Sequence, residues 1–195
     1  MNVIVTNILD ELEVSGENSL TQDLLLFSCE KNMEIDNFIK KNAIDFAKRR
    51  VSITYLISDA ADGALLGYFT LTHKSIIIVD VAGLSNTSKK KLAKYARLER
   101  DREIENYAVS AFLLAQFGKN YGLDKARRIS GSEMMQIVMS VLLDIQRRIG
   151  GGIVYLDCED TPKLKDFYLS ENFKEFSDRF SAEEGQKYIQ FLRFL

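Results

Sequence analysis

Apolar positions along this chain recur with two periods, about two residues in some stretches and about 3.6 in others, and the switches mark its elements. Val51 to Ser58 is rich in β-branched and aromatic residues, which predicts a strand. Asp62-Gly63 reads as a tight turn. Leu65 to Leu71 then pairs back as a hairpin strand, which Ser75 to Val81 extends or repeats. Further strands are predicted at 2–8, at 108–117 (AVSAFLLAQF), at 152–158 (GIVYLDC) and at 187–194. Helical spacing brings Ile35, Phe38, Ile39, Ala43, Phe46 and Ala47 near one face over 33–48. It recurs over 131–148, where Val138, Val141, Leu142 and Ile145 follow Met134 at offsets 4, 7, 8 and 11. Gly150, Gly151 and Gly152 end that second helix. The charged stretch 85–105 predicts a helical connection before the sheet resumes at Ala108. This order predicts an α/β (α+β) layer built on a mixed, mostly antiparallel sheet flanked by helices.

Composition narrows the classes. The chain has 195 residues, 46% hydrophobic and 28% charged, enough for one globular domain spanning 1–195 with a sizeable core. A single proline, Pro162, and the lack of low-complexity segments leave no marked boundary. The formal net charge of −2 excludes a global nucleic-acid-like basic excess. Cys29 and Cys158 lack metal or disulfide spacing, so reduced thiols in the cytoplasm are expected. No basic segment precedes an apolar run at the start, and no run is long enough to span a membrane. With His73 the one histidine, a multi-histidine metal site is excluded, and a Ser-His-Asp triad would have to be built around it.

Candidate chemistry concentrates between Ala108 and Phe176. The apolar strand 108–117 leads to Arg127 and Arg128, then to ISGSEMM at 129–135, where a helix begins. A helix start carries unpaired N–H groups and partial positive charge, and so accepts phosphate. Gly131 would let a ligand approach the backbone, and the two arginines would pair with a pyrophosphate. Ser130 and Glu133 also fit a capping box with solvated arginines, and the two readings are compatible. Tyr168 lies five residues before Phe173 in a run ending Asn172-Phe173. As a phenol it would be protonated near neutral pH and able to act as an acid, while its helical spacing with Leu164 fits a core aromatic. Asp157, Glu159 and Asp160 would relay a proton through water or cap the next helix. Cys158, Glu159 and Asp160 make a poor metal set, because neighbours on a strand face opposite ways.

Strand, basic turn, helix, strand, short helix and strand in this order resemble the GCN5-related N-acetyltransferases. The family's phosphate loop reads Arg/Gln-x-x-Gly-x-Gly/Ala. Aligning Met134-Met135 with the apolar pair that follows places Gly131 on the last glycine, Ile129 on the first and Ala126 on the Arg/Gln position. The family's Tyr-x-x-x-Gly-Phe pattern, lengthened by one residue, matches Tyr168 to Phe173 with Asn172 in the glycine position. The resemblance implies acetyl-CoA as co-substrate and no metal. It implies direct attack of a primary amine through a tetrahedral intermediate, with Tyr168 as general acid to the CoA thiolate. It also implies a pantetheine arm lying along a strand like an added strand. Leu114, Gln116, Arg127, Arg128, Ile129, Ser130, Gly131 and Ser132 are the residues it assigns to the cofactor.

Phe27-Ser-Cys29, Asp36-Asn-Phe38 and Gly67-Tyr68-Phe-Thr-Leu71 resemble a bacterial subgroup of that family containing toxins that acetylate aminoacyl-tRNA. The acceptor is thereby left open among a small molecule, a protein and aminoacyl-tRNA, and an antitoxin partner and a homodimer are left open too. Lys89, Lys90, Lys91, Lys94, Arg97, Arg100 and Arg102 would face RNA phosphates, or would form an ordinary solvated helix face among interleaved acids. A non-catalytic acyl-CoA-binding or interaction module is the alternative from a different class.

Overall fold

The computed structural model describes residues 2–78, 85–101, 104–182 and 185–195. The chain divides into two compact units, one of Met1–Thr72 and Leu114–Val138, the other of His73–Leu113 and Met139–Leu195. Two long strands, β3 (Leu65–Ile78) and β5 (Ile104–Lys119), and helix α6 (Gly131–Ile149) contribute to both.

In the first unit the strand order is β1 (Val3–Asn7), β2 (Ile53–Asp59), β3 and β5. β1 and β2 pair antiparallel from Val3↔Asp59 to Asn7↔Tyr55. β2 and β3 form the hairpin that Asp62-Gly63 predicts, with Gly63 at a φ of 75° and a register shift at Ile57/Ser58. Buried Thr54 and Thr70 share a hydroxyl bond of 2.8 Å across it, so neither polar group is stranded in the core. Four helices precede β2. α1 (Ile8–Ser15) starts where the Asn7 side chain accepts from Leu9 N–H and stops at Gly16, which also opens α2 (Glu17–Leu25). The 33–48 helix is present as α3 (Met33–Asn37) and α4 (Ala43–Lys48), joined by a π-turn over Phe38–Asn42. Ile8, Leu20, Leu24, Phe27, Phe38, Ile39 and Tyr68 build its core.

In the second unit the order is β5, β6 (Ile153–Glu159), β8 (Gln186–Phe194) and β7 (Lys174–Ser181). The described pairings are antiparallel except β5 with β6, which is parallel and two residues long, Phe112↔Val154 and Leu113↔Tyr155. β6 meanwhile pairs with β8 along its whole length, Ile153↔Phe194 to Glu159↔Tyr188. Two helices belong to this unit besides α6: α5 (Asn86–Tyr95) and α7 (Pro162–Ser170). The mixed, mostly antiparallel sheet flanked by helices is therefore as expected.

Residues 85–105 correct the expectation of a helical connection. α5 ends at Tyr95, and Ala96–Asp101 forms β4, paired antiparallel with β5 from Ala96↔Val109 to Asp101↔Ile104. The sheet thus resumes at Ala96, and β5 itself starts at Ile104 rather than at Ala108. A charged composition favours a solvated helix, but here an available strand edge decides the conformation. β3 extends through Ile78, and the predicted residues beyond it, 79–81, lie outside the described residues, as does Arg102.

Candidate active site

The turn before α6 is assembled by Asn120, buried where β5 ends. Its side-chain oxygen accepts from Ser28 and Gly122 N–H, and its Nδ2 donates to the Leu65 carbonyl. The chain then folds over itself. Arg128 donates from Nε to the Leu123 carbonyl at 2.8 Å and from Nη2 to the Tyr121 carbonyl at 2.6 Å. Its guanidinium also lies 5.5 Å from the Tyr121 ring centre. Arg127, in a 3-10 turn over Lys125–Arg127, reaches the β2–β3 turn and donates to both Asp62 oxygens at 2.9 and 2.7 Å. Both predicted phosphate partners thus have protein partners in this structure.

Ile129 is buried. Ser130 and Glu133 form the reciprocal capping box: Ser130 N–H donates to Glu133, and Glu133 N–H donates to the Ser130 hydroxyl. The Ser130 hydroxyl and then the Ser130 N–H hold the Glu133 carboxyl below its ordinary range. Met134 N–H bonds the Ser130 carbonyl. That leaves the N–H groups of Gly131 and Ser132 without an acceptor among the described residues, at the positive end of a 19-residue helix. Met134, Met135, Val138 and Leu142 are buried, so the predicted apolar stripe anchors the helix.

Leu114, Gln116 and Gly118 share one face of β5, since strand side chains alternate. Leu114 is buried. Gln116 donates from Nε2 to Glu34 at 3.0 Å, and its Oε1 is the one fully buried side-chain polar atom without a partner among the described residues. A Cβ on Gly118 would lie 2.3 Å from Ile35 Cγ2, so only glycine lets α3 approach this closely. Ile35 is further fixed by the Tyr68 hydroxyl, which donates to its carbonyl at 2.6 Å.

In the second unit, α7 opens as its sequence dictates. Thr161 is extended before Pro162, which occupies the first turn, where its missing N–H costs nothing. The helix ends at Asn172, whose φ of 63° is left-handed. Asn172 N–H bonds the Leu169 carbonyl and Phe173 N–H bonds the Tyr168 carbonyl, the paired bonds of a Schellman ending. Arg193 donates to the Glu171 carbonyl at 2.7 Å. The ending sets Phe173 against Tyr168 at 5.7 Å between ring centres, and Phe167 and Phe191 complete the cage at 5.1 and 5.8 Å.

Tyr168 is 7% exposed, and burial pushes its phenol well above the usual tyrosine range. Its hydroxyl has no hydrogen-bond partner among the described residues. The arrangement is a rigid, protonated phenol with its donor unused. Asp157 is engaged by Arg179 at 2.5 Å and Gln190 at 2.9 Å, and Asp160 by Lys165 at 2.6 Å. Cys158 is buried, free, and pushed up to about 11 by burial. His73 is exposed, its ring centre 5.4 Å from that of Phe112. Among the described residues no cluster of His, Cys, Asp and Glu is suited to a metal. Among the described residues no helix is long and apolar enough to cross a membrane.

Neither family models nor curated proteins give a match to this chain. Solved structures do. AtaT complexed with acetyl-methionyl-tRNAfMet has a TM-score of 0.64 at 15% identity, over 96% of this chain and 94% of AtaT. A tyrosine-to-phenylalanine mutant of the AtaT toxin, bound to the C-terminus of the antitoxin AtaR and acetyl-CoA, scores 0.62 at 13% identity, over 100% and 94%. A tyrosine-to-phenylalanine mutant of KacT scores 0.64 at 16% identity, over 100% and 95%. The chain has the GCN5-related N-acetyltransferase-like fold of these proteins.

Proposed function

We propose that this chain is an acetyl-CoA-dependent N-acetyltransferase that acts on a primary amine, with Tyr168 as its general acid. The observation that carries the reading is Tyr168: a caged, protonated phenol whose hydroxyl has no hydrogen-bond partner among the described residues. A structural tyrosine in a core ordinarily spends its hydroxyl on a hydrogen bond, as Tyr68 does. Bound acetyl-CoA would supply the activated acyl group as a thioester. As the amine nitrogen bonds the acyl carbon and the C–S bond breaks, the Tyr168 hydroxyl would give its proton to the departing thiolate. The proton shed by the amine would pass to solvent, and the phenolate would recover one from it. The raised pKa keeps the resting phenol protonated at neutral pH.

The turn at 126–132 fits the phosphates of such a donor. Gly131 and Ser132 offer N–H groups without an acceptor among the described residues, the donors an anion needs at a helix start. Arg127 would join them by leaving Asp62, whereas Arg128, Ile129 and Ser130 shape the turn. Leu114 and Gln116 lie on β5 where its pairing with β6 has stopped, so backbone there is available to a pantetheine arm. The likeness to a structure holding acetyl-CoA supports this donor.

Aminoacyl-tRNA is the acceptor with specific support. AtaT was captured with an acetylated methionyl-tRNA, and Lys90, Lys91 and Lys94 stand exposed on α5 here. An antitoxin partner and a homodimer accompany that reading as proposals.

The test is transfer of labelled acetyl from acetyl-CoA to charged tRNA and to free amines, with Tyr168→Phe beside the native chain. Turnover should fall roughly ten- to a thousand-fold in the variant while acetyl-CoA binding holds. Equal turnover removes Tyr168 from the mechanism. Acetyl-CoA binding without transfer to any amine favours a binding module.

A further inference from the structure

One buried acceptor atom in the first unit, Gln116 Oε1, lacks a donor among the described residues, and its amide is hydrogen-bonded to an exposed carboxylate. Glu34 is an exposed carboxylate with no cationic partner among the described residues, and its protein contact is Gln116 Nε2 at 3.0 Å. Gln116 Oε1 is buried without a partner among the described residues, which costs about 1–3 kcal/mol for a typical group. Three features hold this pair in place. Asn32 caps α3 by accepting from Ile35 N–H at 3.1 Å. Asp36 accepts from Cys29 N–H at 2.9 Å and pairs with Lys40 at 2.7 Å. Gly118, on the same face of β5 as Gln116, admits Ile35, whose carbonyl takes the Tyr68 hydroxyl. The nearby acid Asp36 is already neutralised, and Glu34 is not.

We propose that Glu34 and Gln116 bind the ammonium group of the acceptor. Turning the Gln116 amide about its last torsion would exchange its two ends, bringing Oε1 beside the Glu34 carboxylate and carrying Nε2 to the buried position. Two oxygens so placed repel unless a cation with several N–H donors sits between them, and a primary ammonium carries three. A neutral alcohol or a carboxylate cannot meet the same demand. The pair, once the amide has turned, selects for charge and donor number. This deepens the reading of an amine acceptor and rests on it.

The test uses the full chain saturated with CoA and labelled with ¹⁵N. The Gln116 side-chain amide signals, assigned by their loss in Gln116→Leu, are followed during titration with n-butylammonium and separately with 1-butanol. A saturable shift with butylammonium, absent with butanol and lost in Glu34→Gln, is the expected result. Signals that ignore butylammonium, or that move equally with butanol, overturn the proposal. Where an acceptor is turned over, Glu34→Gln should raise its KM at least about tenfold with little change in acetyl-CoA affinity, and Glu34→Asp should recover part of the loss. An unchanged KM overturns the proposal as well. Loss of acetyl-CoA binding in the native chain would defeat the acetyltransferase reading instead, and the amide titration separates the two failures.

Discussion

The Arg127 guanidinium grips Asp62 from 65 residues away, with Nη2 at 2.9 and 2.7 Å from the two carboxylate oxygens. The β2–β3 turn therefore competes with any phosphate for this arginine. Asp62→Asn should weaken the grip and tighten acetyl-CoA binding by roughly two- to fivefold, the scale on which exposed ion pairs act. Calorimetry reads this directly. Unchanged or weaker binding would confine Arg127 to fastening the turn.

The capping box predicts an acid-sensitive helix start. Glu133 is held below its ordinary value of 4.5, chiefly by the Ser130 hydroxyl and then by Ser130 N–H. A carboxyl with a depressed folded value contributes stability above its unfolded value and loses it as pH falls through the folded one. The thermal midpoint of the native chain should drop more steeply from about pH 5 towards 3 than that of Glu133→Gln, which keeps the contact without the charge. Parallel curves would remove Glu133 from acid stability.

These two contacts mark what the sequence discloses. The capping box spans four residues, and local spacing is what a sequence displays. The Asp62-Gly63 turn, the Tyr168 to Phe173 ending and the alternation of 187–194 are legible for the same reason. Arg127 with Asp62, Gln116 with Glu34 and Asp157 with Arg179 and Gln190 join distant segments, and no periodicity announces them. Asn120 is equally silent, a polar residue at a strand end that turns out to bind three segments together. β4 fails differently: its charges read as a solvated helix until β5 offers an edge. α1 was accessible, since Asn7 and Gly16 bracket it as start and stop residues, but the strand pattern of 2–8 overlaps its first turn.

The α7 ending offers a test of positioning. Asn172 at a φ of 63° is tolerated where alanine is strained by about 1–2 kcal/mol. Asn172→Ala should lower the thermal midpoint and turnover together, because Tyr168 supplies the carbonyl that Phe173 N–H binds. Asn172→Gly should keep both, being suited to the same backbone. A midpoint that falls with turnover intact would separate the ending from Tyr168.

Gly118 offers the corresponding test in the first unit. Gly118→Ala drives a methyl to 2.3 Å from Ile35 Cγ2, so the Ile35 side chain or the helix that carries it must shift. Overpacking of this kind costs typically about 1–3 kcal/mol. The shift should also part Glu34 from Gln116. Chemical denaturation should show the loss of stability, and a midpoint within error of the native value would mean that α3 gives way freely.

The central claim is that this chain binds acetyl-CoA and spends it on an amine. Calorimetric titration of the native chain with acetyl-CoA, repeated with Arg127→Ala plus Arg128→Ala, tests it most directly. The account predicts micromolar binding that the double change weakens. No heat of binding in the native chain would contradict it, leaving an acetyltransferase-like fold that works without the acetyl donor.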